Sequence, residues 1–440
     1  MQNFAIKVSL LLREGMKQMK TVALLLFVCT YALLLALPKW RSHVAVASAA
    51  LFVALGIVPL SGLAQAIDWN VIMMIAGTMG TVWFFILSGM PDLLADRILR
   101  RVRTVQWATV SLAFFSGLIS ALMDNVATVL IVAPVALEIA RKLKTSPVPI
   151  VISIAVFSNL QGMATLVGDT TSILLGGYAG MNFLDFFVLD GKMGLFFVVQ
   201  LATLAATGVL IFNLRHCQQS VEVGQPPQVT EYFPTLLLSA KVVLLTIVSF
   251  LPGMPEMTNG LICMALFGVG LIWAIFIRKK KGVLKDAFRE MDWPTLFLLG
   301  GLFVVIDGIT RAGLVDEISQ WFARVGGDNV FLIYTLLVWF SVLFSAFIDN
   351  IPYVATMLPV ASGIAQIMGV DAFLLYFGIM VGATLGGNLT PIGASANITG
   401  IGLLRKEGYT VHTVDFLRIG VPSTLTAVVI GYVLIWLIYG

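Results

Sequence analysis

Asp124 and Asn125 stand side by side within a long apolar stretch. Asp349 and Asn350 do the same further along, at an offset of 225 residues (349 − 124 = 225). The phrase around them is written twice, as Ser120-Ala121-Leu122-Met123-Asp124-Asn125 and as Ser345-Ala346-Phe347-Ile348-Asp349-Asn350. An ionised carboxylate at membrane depth costs several kcal/mol, so one placed there needs a proton or a cation to hold. The neighbouring amide offers an oxygen to a hard cation and N–H groups to an anion. The chemistry implied is reversible ion binding.

The register persists beyond the phrase. Pro134 maps to Pro359, Gly162 to Gly387, Thr165 to Thr390 and Gly168 to Gly393. Upstream the offset is one less: Asp68-Trp69 maps to Asp292-Trp293, Gly77 to Gly301, Gly89 to Gly313 and Asp92 to Asp316. This is an internal duplication with an Asp-Asn pair at the heart of each copy.

Composition says where such a pair would sit. Of 440 residues 59% are hydrophobic and 11% charged, against about 25% charged in a soluble domain. Apolar runs of membrane-spanning length recur along the chain. An all-α polytopic membrane protein is expected, integral to a bacterial or archaeal plasma membrane. The net charge of +4 comes from basic residues at the ends of apolar runs. They serve as topology signals rather than a nucleic-acid surface. Cys29, Cys217 and Cys263 have neither metal-like spacing nor a CxxC, which argues against a disulfide framework or a zinc site.

Residues 1–20 carry Lys7, Arg13, Lys17 and Lys20 among apolar positions, and predict an amphipathic helix lying on the membrane. The first repeat runs over 21–213, with apolar runs at 21–37, 43–60, 70–88 and 192–213. Its 106–142 stretch is split at Asp124-Asn125, and its 147–187 stretch is broken at Gly162–Ser172. A polar linker covers 214–236, with Arg215, Pro226, Pro227 and Glu231. The second repeat, 237–440, has runs at 237–252, 260–278, 294–310 and 416–438. Its split stretch is 330–366 and its broken stretch 371–405.

Both ends of 106–142 are basic, which predicts a re-entrant hairpin approaching from the cytoplasm. The flanks of 330–366 are not basic, so the second hairpin should approach from outside. Each half then holds about five spanning helices plus one hairpin, and the second copy is inserted upside down. This is the inverted-topology repeat of secondary transporters. The same logic places the N-terminus outside although 1–20 is basic, and both readings stand at this stage.

Asp124, Asp349 and Asp169 are the candidate carriers of the coupling ion or proton. Around them lie Asn125, Thr128, Thr165, Gly168, Thr170 and Ser172 from the first half. Asn350, Thr356, Asn388, Thr390, Gly393, Ser395 and Asn397 come from the second. Each set joins a hairpin tip to a helix break, where free carbonyls coordinate cations and half-helix N-termini face anions. Oxygen-only ligands suit Na⁺, with Asn125, Asp169, Asn350 and Asn397 the expected donors. No catalytic or cofactor signature is found. HExxH and the P-loop pattern are absent, so ATP-driven pumping by this chain alone is not expected and an accessory ATPase subunit is not indicated. No Arg or Lys lies near the doubled motif in sequence.

At these residues the sequence resembles the ion transporter superfamily. The branch is that of arsenite efflux permeases, NhaD-type Na⁺/H⁺ antiporters and the melanosomal P protein, with a citrate-transporter-like domain. The likeness covers about 40 to 438. It is carried by Ser345–Asn350 running into Ile351-Pro352-Tyr353-Val354-Ala355-Thr356-Met357, and by the stretch from Gly386 to Asn397. Members commonly show Gly-Asp-Pro-Pro-Asn at the first break, where this chain has Gly168-Asp169-Thr170-Thr171-Ser172. The resemblance implies a scaffold built on the three leading spans of each half, a moving transport domain, elevator-type alternating access and a homodimer.

The expectation is therefore a secondary active transporter in the lipid bilayer, driven by H⁺ or Na⁺. It would move a small inorganic or organic anion, a metalloid oxyanion or an uncharged hydroxide such as arsenite. Na⁺/H⁺ antiport is the alternative. A membrane enzyme using paired carboxylates or a passive channel are remoter ones, separable by counterflow and trans-stimulation.

Overall fold

The computed structural model describes the backbone of residues 2–143, 145–220, 229, 231–251 and 253–440, and side chains from residue 18 onward except 142 and 143. The side chains of Lys7, Arg13, Lys17 and Lys142, and with them the expected amphipathic face, are outside the described part of the structure, as are Lys144, Pro226 and Pro227 altogether. The first half contributes α1 (Gln2–Ala36), α2 (Arg41–Ala54), α3 (Leu63–Ala66), α4 (Trp69–Leu87) and α5 (Met90–Leu99). It continues with α6 (Val105–Ser120), α7 (Asn125–Leu143), α8 (Val148–Gly162), α9 (Thr170–Ala179) and α10 (Leu195–Asn213). The second contributes α11 (Phe233–Ser249), α12 (Thr258–Ile272), α13 (Val283–Glu290), α14 (Trp293–Arg311) and α15 (Leu314–Gly326). Its remaining helices are α16 (Val330–Ser345), α17 (Asn350–Met368), α18 (Ala372–Gly386), α19 (Ser395–Lys406) and α20 (Thr413–Tyr439). Helices α4–α10 thus recur as α14–α20. Among the described residues eight helices are long and apolar enough to cross a bilayer, and the chain is a multi-pass membrane protein.

The separate helix expected over 1–20 is corrected: α1 is continuous from Gln2 to Ala36. From Met16 to Leu37 there is no Gly or Pro to stop it. Lys20, mid-helix, pairs with Glu317 at the start of α15. The short α3 and α13, which lie between apolar runs, were not anticipated.

The duplicated residues explain themselves locally. Asp68 caps α4 by accepting from the Val71 N–H (3.0 Å), and Asp292 caps α14 by accepting from the Thr295 N–H (3.2 Å). Gly89 and Gly313 open α5 and α15 with φ of +70° and +72°, a conformation glycine adopts without a Cβ penalty.

Packing crosses the repeats. α4 lies along α12 of the other half, and α14 along α2. Both pairs close over a glycine. A Cβ on Gly77 would stand 2.3 Å from the Cys263 carbonyl carbon, and one on Gly301 would stand 2.6 Å from that of Ala45. Small residues let helix backbones approach where lipid supplies no hydrophobic drive. These four helices with α1 and α11 form one body. The second body pairs α6 with α8 and α16 with α18, sets α10 against α20, and holds α7, α9, α17 and α19 between them. A cavity of about 1090 Å³ lies between the bodies. Asp68, Asn70, Glu256 and Asp307 line it on one side and Tyr178, Asn182 and Ala355 on the other.

Gly301→Ala should lower stability by about 1–3 kcal/mol through overpacking, and Gly77→Ala likewise. Gly300→Ala, facing open space, should leave the melting temperature in detergent unchanged or slightly raised.

Candidate functional site

Four helix ends meet inside the protein: the starts of α7, α9, α17 and α19. Three begin on the carboxylates singled out above. Asp124 accepts from the N–H groups of Val126 (2.9 Å) and Ala127 (3.1 Å). Asp169 accepts from the Thr170 N–H (2.7 Å) and the Thr171 hydroxyl (2.9 Å). Asp349 accepts from the Ile351 N–H (3.3 Å) and the Ser395 hydroxyl (3.0 Å). Each carboxylate therefore satisfies orphan N–H groups of a helix start and lies at its positive end. The fourth start, at α19, has Ala394 where α9 has Asp169.

The halves interlock through amides. Asn125 donates to Asn159 (2.7 Å). Asn159 donates to Asn388 (2.7 Å) and Asn397 (3.2 Å) of the other half. Asn388 closes the chain on the Val156 carbonyl (3.0 Å). Asn350 reaches back to Asp169 (3.4 Å). The four residues expected to hold Na⁺ thus fall into two groups, Asn125 with Asn397 through Asn159, and Asn350 with Asp169. All four are buried.

The remaining residues divide by task. Thr165 donates to the Ala121 carbonyl and Thr390 to the Ala346 carbonyl, so each break is tied to its own hairpin loop. Beneath them Gly168 and Gly393 sit where a Cβ would come within 2.3 Å of the Gly162 oxygen and 2.6 Å of the Gly387 oxygen. Ser172 and Asn397 occupy equivalent positions and donate to those same two carbonyls. Thr170 is buried in the first turn of α9. Two expected ligands turn elsewhere. The Thr128 hydroxyl bonds back to the Asp124 carbonyl (3.0 Å), and Thr356 bonds the Pro352 carbonyl (3.1 Å) and Tyr31 of α1.

Two cations that the motif's sequence neighbourhood does not show stand near it in space. Arg41, the first residue of α2, donates from Nη1 to Asp349 Oδ2 at 2.7 Å. Lys241 of α11 is fully buried and donates to the Leu122 carbonyl (3.2 Å) at the tip of the first hairpin. Neither has a local signature, since each comes from an apolar run far away in sequence. Asn159 was also missed, although the 225-residue offset places it opposite Thr384, a second polar residue within an apolar helix. The Ser120 hydroxyl, beside the Asp124 tip, is buried with no partner among the described residues.

Comparison with known proteins agrees with this architecture. A family model described as CitMHS, citrate transporter, matches residues 31–382. The chain belongs to the CitMHS citrate transporter family. An uncharacterized transporter of Mycobacterium tuberculosis is 29% identical over 438 residues, covering 96% of this chain and 99% of its own length. The human P protein is 23% identical over 503 residues, covering 96% of this chain and 60% of the P protein. Among solved structures, the YdaH transporter of Alcanivorax borkumensis superposes with a TM-score of 0.61 at 15% identity, covering 91% of this chain and 96% of that one. MtrF of Neisseria gonorrhoeae, from a class described as antimetabolite efflux pumps, gives 0.52 at 13% identity, with 87% and 81% covered. These two likenesses establish the fold. The family and its bacterial relatives make the chain a multi-pass membrane transporter of the plasma membrane.

In the citrate transporter family fold, Asn159 holds the amide chain together. Asn159→Ala would leave the amides of Asn125, Asn388 and Asn397 short of a partner inside the protein. It should cost about 1–3 kcal/mol in a melting experiment, more than Asn182→Ala in the cavity wall.

Proposed function

We propose that the chain is a secondary active carrier coupled to Na⁺ or H⁺, moving a small anion or metalloid species. The observation that carries the proposal is the convergence of four broken-helix starts on three buried or half-buried carboxylates. Asp124, Asp169 and Asp349 lie within electrostatic reach of one another, against two cations, Arg41 on Asp349 and Lys241 on the Leu122 carbonyl. Such a site holds excess negative charge until cations load it. An anionic solute then follows the cations, aided by the helix N-termini and the amides of Asn125, Asn350, Asn388 and Asn397. A carboxylic acid such as citrate, which the family description names, fits this scheme, as does a metalloid hydroxide. The carboxylate excess gives specific support to the second reading, Na⁺/H⁺ antiport without a solute.

Elevator-type movement is supported by the division into two bodies. The leading helices α1, α2, α4, α11, α12 and α14 form a scaffold suited to a homodimer surface. The hairpins and breaks ride in the other body, and the cavity lies along the seam. Loading the carboxylates lowers the cost of carrying them past an apolar scaffold.

The test is electrical recording on solid-supported membranes carrying reconstituted protein. Jumps of pH, Na⁺, arsenite and a di- and tricarboxylate panel are applied to wild type and Asp124→Asn. A current that requires both cation and solute, lost at least ten-fold in the variant, is the expected result. A Na⁺ or pH signal without solute, also lost in the variant, would assign antiport. Unchanged currents in Asp124→Asn would overturn the ion site.

A further inference from the structure

Asp349 already has a cation, and that cation belongs to the protein. Its Oδ2 takes the Arg41 Nη1 at 2.7 Å and the Ser395 hydroxyl at 3.0 Å, while Oδ1 takes the Ile351 N–H. The Arg41 side chain is 16% exposed and that of Asp349 6%, so the pair is shielded from water and from screening salt. A metal cation or proton loading Oδ2 meets an occupied oxygen. The two partners also belong to different bodies. Arg41 begins α2, which packs along α14 and α1, whereas Asp349 begins α17 of the second hairpin.

The first hairpin lacks this arrangement. Among the described residues, the Asp124 carboxylate accepts only backbone N–H groups. Its tip is tied to the scaffold by Lys241 through the Leu122 carbonyl, a bond that does not use the carboxylate. The repeat supplies no second arginine. Ala45 and Cys263 meet the equivalent glycines Gly301 and Gly77, an offset of 218 residues (263 − 45 = 218), which puts Asn259 opposite Arg41.

We propose that Arg41 is a tethered stand-in for the driving cation. It occupies Asp349 while the site is unloaded, holds the second hairpin to the scaffold, and releases it when a free cation takes Asp349. The proposal rests on the cation-coupled reading above and adds its locking step. The guanidinium has an acceptor to turn to, since its Nε already faces the Leu34 carbonyl at 3.4 Å. Among the described residues, Arg41 from α2 bonds Asp349, and Asp124 and Asp169 lie within its electrostatic reach. Tyr31 of α1 lies one turn along α17, on Pro352 and Thr356. Arg41 is the one cation of this set, so competition at Asp349 runs through it.

Two measurements test the lock. In reconstituted protein, Arg41→Gln removes the competitor, so the half-saturating Na⁺ or proton concentration for transport should fall about ten-fold, the size of one good ion pair. Arg41→Lys, which keeps the charge without the fork, should fall between. An unchanged half-saturation in Arg41→Gln with wild-type melting temperature overturns the lock and leaves the carrier reading intact. Wild type without any Na⁺ or proton dependence overturns the carrier reading instead.

The second measurement is independent of transport and keeps Arg41. Ser42→Cys, in a background with Cys29→Ser and Cys217→Ser, is labelled with a polar maleimide. Labelling should quicken several-fold on adding Na⁺ or on acidification, and should be permanently fast when Asp349→Asn is added. Labelling indifferent to both the cation and Asp349→Asn overturns the lock.

Discussion

A helix that stops inside hydrocarbon leaves up to four backbone N–H or C=O groups without partners, and no water is there to take them. Much of this protein follows from that constraint. Four helices begin in the interior, and three are capped by a carboxylate that accepts from the orphan N–H groups. The same carboxylates are expensive to keep ionised. The ends that must be capped are therefore also the ends that favour a cation. In the proposed carrier, structural need and ion loading would share the same oxygens.

The duplication is not a copy in function. Asp169 has Ala394 opposite it, and Arg41 has Asn259. One half holds two carboxylates with a lysine on the nearby Leu122 carbonyl rather than on a carboxylate, and the other holds a single carboxylate with a paired arginine. The scaffold of the fold is symmetric while the charge is not. In the carrier proposed above, unequal half-sites would load in sequence rather than together.

Part of this arrangement is legible in the amino-acid sequence. The interruptions of the apolar stretches at Asp124-Asn125 and Asp349-Asn350 can be read from the chain, because a polar pair inside an apolar run and a persistent repeat register are strong local signals; helices start there at Asn125 and Asn350. The 1–20 boundary failed for the opposite reason. Charge alone suggested a separate helix, yet nothing in the chain there interrupts helical hydrogen bonding. Arg41 falls among the basic residues at the ends of apolar runs, which as a class read as topology signals. Its partner lies 308 positions away, and no periodicity reports a contact of that range. Asn159 could have been found by carrying the repeat offset into the apolar helices and asking where both copies are polar.

The crossed packing of α4 on α12 and α14 on α2 bears on how the chain is made. When α4 leaves the ribosome, the surface that Gly77 needs has not been synthesised, and it will not exist for nearly two hundred residues. During that interval α4 must wait in lipid with its close-packing groove open, a state in which small residues invite the wrong neighbour. Neither half can complete its own scaffold. The two halves become a folded protein together, because the α4–α12 and α14–α2 surfaces each draw on both.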